Sequence, residues 1–109
     1  MTLRLSPLLE AFVTATNNHD GEALTACFVA DAIVHDEGTT HRGHPAIRAW
    51  FDDVVRKYRF TIVVTDEETS HDETVLTTQV TGSFPGSPIE LRYCFNIGDD
   101  KIRGLSIGD

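Results

Sequence analysis

Residues 89–97 read IELRYCFNI, an unbroken alternation of Ile89, Leu91, Tyr93, Phe95 and Ile97 with Glu90, Arg92, Cys94 and Asn96. Successive strand side chains point to opposite faces, so this stretch has one wholly apolar face and one polar or small face. Only a sheet covered on one side and solvated on the other suits it, which is the habit of antiparallel sheets. The neighbouring segments agree. Phe60, Ile62 and Val64 alternate with smaller or polar residues, and Leu76, Thr78, Val80 and Phe84 share a face. The polar run DEETSHD (66–72) and FPGSP (84–88) read as turns between strands. After Gly98-Asp99-Asp100 a last strand follows, in which the spacing from Ile102 to Leu105 and Ile107 slips phase and predicts a bulge or bend at Gly104.

The first half of the chain has a different period. Ser6-Pro7 is an N-cap followed by proline in the first turn, and Leu8, Leu9, Phe12, Val13 and Thr16 form the stripe of a first helix. Asp20 caps a short second helix over residues 22–28, with Ala23, Leu24, Cys27 and Phe28 inward. A strand over residues 32–37 comes next, with Ala32, Val34 and Asp36 on one face and Ile33, His35 and Glu37 on the other. A third helix opens at Pro45 and turns Ile47, Trp50, Phe51, Val54, Val55 and Tyr58 inward; its outer side offers opposite charges four apart at 48/52, 52/56 and 53/57. Helices first and strands afterwards predict an α+β fold, three N-terminal helices packed on a curved, mostly antiparallel sheet as a cone-shaped roll. The expectation is one domain over residues 1–109.

Charge narrows the partners. A net charge of −8, with nine Lys and Arg scattered along the chain, disfavours nucleic acid and anionic membrane surfaces. No apolar run approaches a membrane span or a signal peptide, so a cytoplasmic location is expected. Cys27 and Cys94 stand far apart in apolar surroundings and nothing requires them to pair.

The chemistry-bearing residues gather early, in AIVHDEGTTHRGH (32–44). Asp36 is the one acidic residue that alternation puts beside apolar neighbours. In an apolar pocket it would hold a raised pKa and could shuttle a proton next to a carbonyl; otherwise it caps the following turn or pairs with Arg42. Strand parity turns His35 away from Asp36, toward the surface or an interface. His41 and His44 could join Asp36 around a metal, but a loose loop spacing is a weak metal pattern and polar loop histidines are the simpler reading; no metal is expected. Arg42 could hold an anionic group at a pocket mouth or form a surface ion pair. Thr78 and Gln79 face opposite ways. His19 and His71 sit in turns, facing solvent.

FVTATNNHDGEALTACFVADAIVHDEG (12–38) and HRGHPAIRAWF (41–51) resemble the opening half of the nuclear transport factor 2-like superfamily, and VTGSFPGSPIELRYCFNIGDDKIRGLSI (80–107) looks like the closing hairpins of its SnoaL-like branch. The resemblance implies an apolar cavity between helices and sheet, with walls from Phe12, Val34, Trp50, Phe51, Leu91 and Phe95. In the related ketosteroid isomerases an acidic base on the short strand works with a Tyr and a protonated Asp. The base corresponds to Asp36, the Tyr to Phe12 and the protonated Asp to the neighbourhood of Leu91, so both donors are lost here. Each missing donor costs about 2.7–4 kcal/mol of transition-state stabilisation, which argues against that same reaction. Tyr93, on the face of Leu91 and Phe95, is the one residue that could replace a donor, unless it is an ordinary core tyrosine. The resemblance further implies a homodimer meeting on the convex sheet face, through Thr77, Gln79, Arg92, Cys94 and Asn96. Two functions are thus expected to compete. One is proton transfer of the isomerase or cyclase type on a small hydrophobic carbonyl compound, without cofactor. The other is a non-catalytic ligand-binding or association module.

Overall fold

The computed structural model describes residues 5–71 and 73–108. Ser6 caps α1 (Pro7–Asn17), its hydroxyl oxygen accepting the Leu9 N–H at 3.3 Å, and Asp20 caps α2 (Gly21–Thr25) by accepting the Ala23 N–H at 3.1 Å. The second helix is shorter than its spacing predicts. Phe28 begins β1 (Phe28–Asp36), and Ala23 is exposed rather than inward. A far strand captures this segment: the Lys101 ammonium donates to the Ala26 carbonyl, the Ile102 N–H donates to the Cys27 carbonyl, and Phe28 pairs with Ile102.

Residues 39–42, expected as part of the turn between the strand and the third helix, form a strand. Glu37 and Gly38 both take positive φ, 53° and 75°, making a two-residue hairpin that folds β2 (Thr39–Arg42) antiparallel onto β1. The helix α3 (Gly43–Tyr58) starts two residues before Pro45 and buries Ile47, Trp50, Phe51 and Val54. Of the three outer charge pairs expected, only Arg48–Asp52 forms; Asp53 instead takes Arg56 at 2.6 Å, and these exposed pairs add little stability.

The remaining strands are β3 (Thr61–Ser70), β4 (Glu73–Thr81), β5 (Ile89–Gly98) and β6 (Lys101–Gly108). The polar run expected as a turn from residue 66 is strand as far as Ser70; β4 pairs it residue for residue beyond a register shift near Thr65, and Asp72 lies outside the described residues. The six strands run in the order β2-β1-β6-β5-β4-β3, antiparallel except for the β1·β6 pair. The predicted phase slip is real: Asn96 faces Gly104 while Ile97 faces Ile102, so Arg103 is the extra residue and both Ile102 and Leu105 reach the core.

All three helices pack on one face of this sheet. The core between them holds Leu9, Phe12, Leu24, Val34, Ile47, Phe51, Leu76, Phe95 and Leu105. Phe12 sits at its centre, its ring edge-on to Phe95 at 5.0 Å and to Tyr93 at 6.2 Å. At the sheet's outer edge the Asn17 carboxamide grips β3 as a neighbouring strand would. It accepts the Ile62 N–H at 2.7 Å and donates to the Ile62 carbonyl at 2.9 Å, while His19 hydrogen-bonds the Phe60 carbonyl at 2.7 Å. His19 therefore has a structural partner that its turn position did not suggest.

Candidate functional site

Three neighbouring strands bring the site together. Val34 pairs with Leu105 and His35 with Ser106 across β1·β6, and Ile107 pairs with Tyr93 across β5·β6, so Asp36, Ile107 and Tyr93 fall in one row. At a strand spacing near 4.8 Å the Asp36 and Tyr93 backbones are about 10 Å apart. All three line a cavity of about 260 Å³. The helix α3 supplies Trp50, Val54 and Tyr58 to its wall, and the sheet and the β4–β5 connection supply Phe60, Val80, Phe84, Ile89 and Leu91.

Asp36 is half-buried, and the Trp50 indole N–H donates to its carboxylate at 2.9 Å. Burial pushes the Asp36 pKa up, assisted by the charge of Glu37; the Trp50 hydrogen bond is the main opposing influence. Asp36 has not paired with Arg42, which is exposed at the end of β2; besides the Trp50 N–H, the Glu37 backbone N–H opposes the rise of its pKa. Tyr93 is 4% exposed. Among the described residues its hydroxyl has no hydrogen-bond partner, yet it is not sealed from the cavity. Burial, with the nearby Asp36 charge, holds its pKa far above the ordinary phenol value, so the hydroxyl keeps its proton.

One parity assignment fails. Glu37 does not share a face with His35, because its positive φ in the hairpin turn redirects the side chain to the cavity mouth. There the Tyr58 hydroxyl donates to Glu37 Oε1 at 3.1 Å, which raises the Tyr58 pKa. Phe84 stands edge-on to Tyr58 with centroids 5.8 Å apart. Gly82 makes this approach possible: a Cβ there would lie 2.5 Å from the Tyr58 carbonyl oxygen.

Of the six walls expected, Trp50 and Leu91 line the cavity. Phe12, Val34, Phe51 and Phe95 are at most 1% exposed and form the packed floor beneath it. Alternation reports which face a side chain takes, not its depth. His35 is exposed on the opposite face, bonded to Thr40 Oγ1 at 3.0 Å. His41 and His44 diverge: His41 lies 6.1 Å from the Trp50 ring, whereas His44 hydrogen-bonds the Phe28 carbonyl at 2.9 Å. No group of three or more His, Cys, Asp or Glu among the described residues converges as metal ligands would. Thr78 is fully buried, with its hydroxyl donating to the Leu91 carbonyl at 3.0 Å, while Gln79 is exposed. Cys27 and Cys94 are both free. No described helix is long and apolar enough to cross a membrane.

The sequence of residues 9–103 matches the family model of the SnoaL-like domain. The chain belongs to the SnoaL-like family. Among solved structures, this SnoaL-like chain is 32% identical to a protein of Sinorhizobium meliloti provisionally assigned as a polyketide cyclase, with 94% of each chain covered and a TM-score of 0.91. A ketosteroid isomerase-like protein of Catenulispora acidiphila, solved in complex with trimethylamine, is 17% identical over 97% of this chain and 87% of that one, at a TM-score of 0.85. A protein from Sphaerobacter thermophilus shares 25% identity over 93% and 91%, at a TM-score of 0.80. No curated protein sequence matches the chain. The ketosteroid isomerase-like fold expected from the sequence is therefore present.

Proposed function

We propose that the cavity binds a small hydrophobic carbonyl compound and that Asp36 moves a proton at the carbon next to the carbonyl. The observation that carries this reading is the pairing, in one cavity, of a half-buried carboxylate with a buried phenol whose hydroxyl is unpartnered among the described residues. The Asp36 carboxylate accepts the α-proton, and the C–H electron pair moves to the carbonyl oxygen as an enolate. Tyr93 donates a hydrogen bond to that oxygen. Asp36 then returns the proton to the same or a conjugated carbon. A carboxylate whose pKa is raised by burial is a stronger base than one in water, and a phenol whose pKa is raised remains a donor at neutral pH. Trp50 orients the carboxylate. The likeness to a protein provisionally assigned as a polyketide cyclase supports the carbonyl chemistry. The reaction needs no cofactor.

The test is deuterium exchange at the α-carbon of aryl ketones in heavy water, followed by proton NMR. Exchange above the buffer rate that disappears in Asp36→Asn supports the reading. Ketone binding that shifts the Tyr93 resonances without exchange would assign the cavity to a non-catalytic ligand-binding module instead. A homodimer through the sheet face opposite the helices, where Gln79, Arg92 and Asn96 are exposed and Thr77 and Cys94 half-buried, belongs to the same proposal; sedimentation equilibrium tests it.

A further inference from the structure

We infer that the ligand of this cavity carries an organic ammonium group, seated at the mouth against Glu37, Tyr58 and Phe84. The inference rests on the cavity being a ligand site and adds the charge of what it takes. The lining contains two carboxylates and five aromatic rings, Trp50, Tyr58, Phe60, Phe84 and Tyr93, and no Lys, Arg or His. Two of its polar hydrogens are already engaged, since Trp50 donates to Asp36 and Tyr58 to Glu37. The surface offered to a ligand is therefore π faces and carboxylate oxygens, which attract a cation and repel an anion. Tyr93 is the exception, a largely buried residue lining the cavity whose hydroxyl has no hydrogen-bond partner among the described residues. Asp36 and Tyr93 lie together within the cavity, and Glu37, Tyr58 and Phe84 stand at its mouth.

The mouth has the shape for an alkylated amine. The Tyr58 and Phe84 rings meet at 86° with centroids 5.8 Å apart, forming a corner beside Glu37, whose Oε1 holds the Tyr58 hydroxyl. Glu37 Oε2 has no hydrogen bond among the described side chains. The Lys57 ammonium, on the adjacent residue, lies 5.6 Å from the Tyr58 centroid and is a cation the ligand must compete with at that ring. The overall charge of −8 favours entry of cations over anions. The substrate class this describes is an apolar amino ketone, with its carbonyl oxygen toward Tyr93, its α-carbon toward Asp36 and its ammonium toward Glu37.

Two matched probes test it: (4-acetylbenzyl)trimethylammonium and its uncharged isostere 4-neopentylacetophenone, titrated by calorimetry and by NMR of the Trp50 and Tyr93 side chains. The cation should bind about 10-fold more tightly at low salt, with the advantage shrinking as salt is added. Glu37→Gln, at an exposed position, should remove most of that advantage while leaving affinity for the uncharged probe. Equal affinity of the two probes for the wild-type protein overturns the ammonium assignment and leaves the carbonyl reading standing, as does an advantage that survives in Glu37→Gln for the seat at Glu37. Failure of both probes to shift Trp50 and Tyr93 overturns the cavity reading together with this one.

Discussion

Replacing Asp36 by asparagine should make the protein more stable at neutral pH while removing any proton transfer. The amide oxygen can still accept the Trp50 N–H, now at 2.9 Å from the carboxylate, so that bond survives. What disappears is a half-buried negative charge next to Glu37. Because Asp36 is partly open to the cavity, solvent screens the relief, and about 0.5–1 kcal/mol is expected. For a domain of this size that is a rise in Tm of about 2–4 °C. The pH dependence has a definite sign. Asp36 holds its proton more tightly folded than unfolded, so its favourable contribution is full below the unfolded carboxyl range and is lost as pH rises through the folded pKa. The Tm advantage of Asp36→Asn over wild type should therefore be greater at about pH 7 than at about pH 4. Asp36→Ala separates the charge from the hydrogen bond, since it leaves the Trp50 N–H without its acceptor and should fall about 1–2 kcal/mol below Asp36→Asn. Thermal unfolding followed by circular dichroism reads all three proteins. Equal Tm values for the asparagine and alanine variants, or an asparagine variant less stable than wild type at neutral pH, would refute the placement of Asp36 as a desolvated, Trp50-bound carboxylate.

Tyr93→Phe removes a hydroxyl with no partner among the described residues, so its stability should stay within about 0.5 kcal/mol of wild type. Its α-proton exchange rate should nevertheless drop by the ~2.7–4 kcal/mol of a lost oxyanion donor, about 100- to 1,000-fold. Trp50→Phe should push the Asp36 pKa further up and move the acidic limb of the exchange rate, where the rate rises as Asp36 loses its proton, to higher pH, which a pH–rate profile would show. Asn17→Ala deletes both hydrogen bonds to Ile62 and should cost about 1–3 kcal/mol, with faster hydrogen exchange at the Ile62 amide as the local readout.

Much of this architecture could be read from period alone. The alternation at residues 89–97 set the covered sheet, and the Ser6-Pro7 and Asp20 caps placed two helix starts where the structure has them. Parity also put Asp36 on the inner face. It went wrong at the next residue, because Glu37 lies in a turn of positive φ, where alternation no longer tells direction. Phe28 was misplaced because a helix stripe and a strand end look alike until the partner strand, some seventy residues on in pairing with Ile102, is known. Depth was equally hidden: Phe12 and Phe95 share the apolar character of Phe60 and Phe84, and only packing decides which pair becomes floor and which becomes wall.

The place of β6 between β1 and β5 has a consequence for how the site comes into being. Asp36 and Tyr93 sit on strands that do not touch; Ile107 of β6 is the plank between them. The pairing of β1 with β6 joins segments far apart in sequence, which makes it entropically slow to form. Until it forms, a chain with its helices and its β3–β5 meander in place would still have no Asp36–Tyr93 pair. The proposed ligand binding should accordingly, in a refolding experiment, trail the burst of secondary structure and coincide with the slowest protection of the β6 amides, the strand whose Ile102 and Leu105 also complete the core.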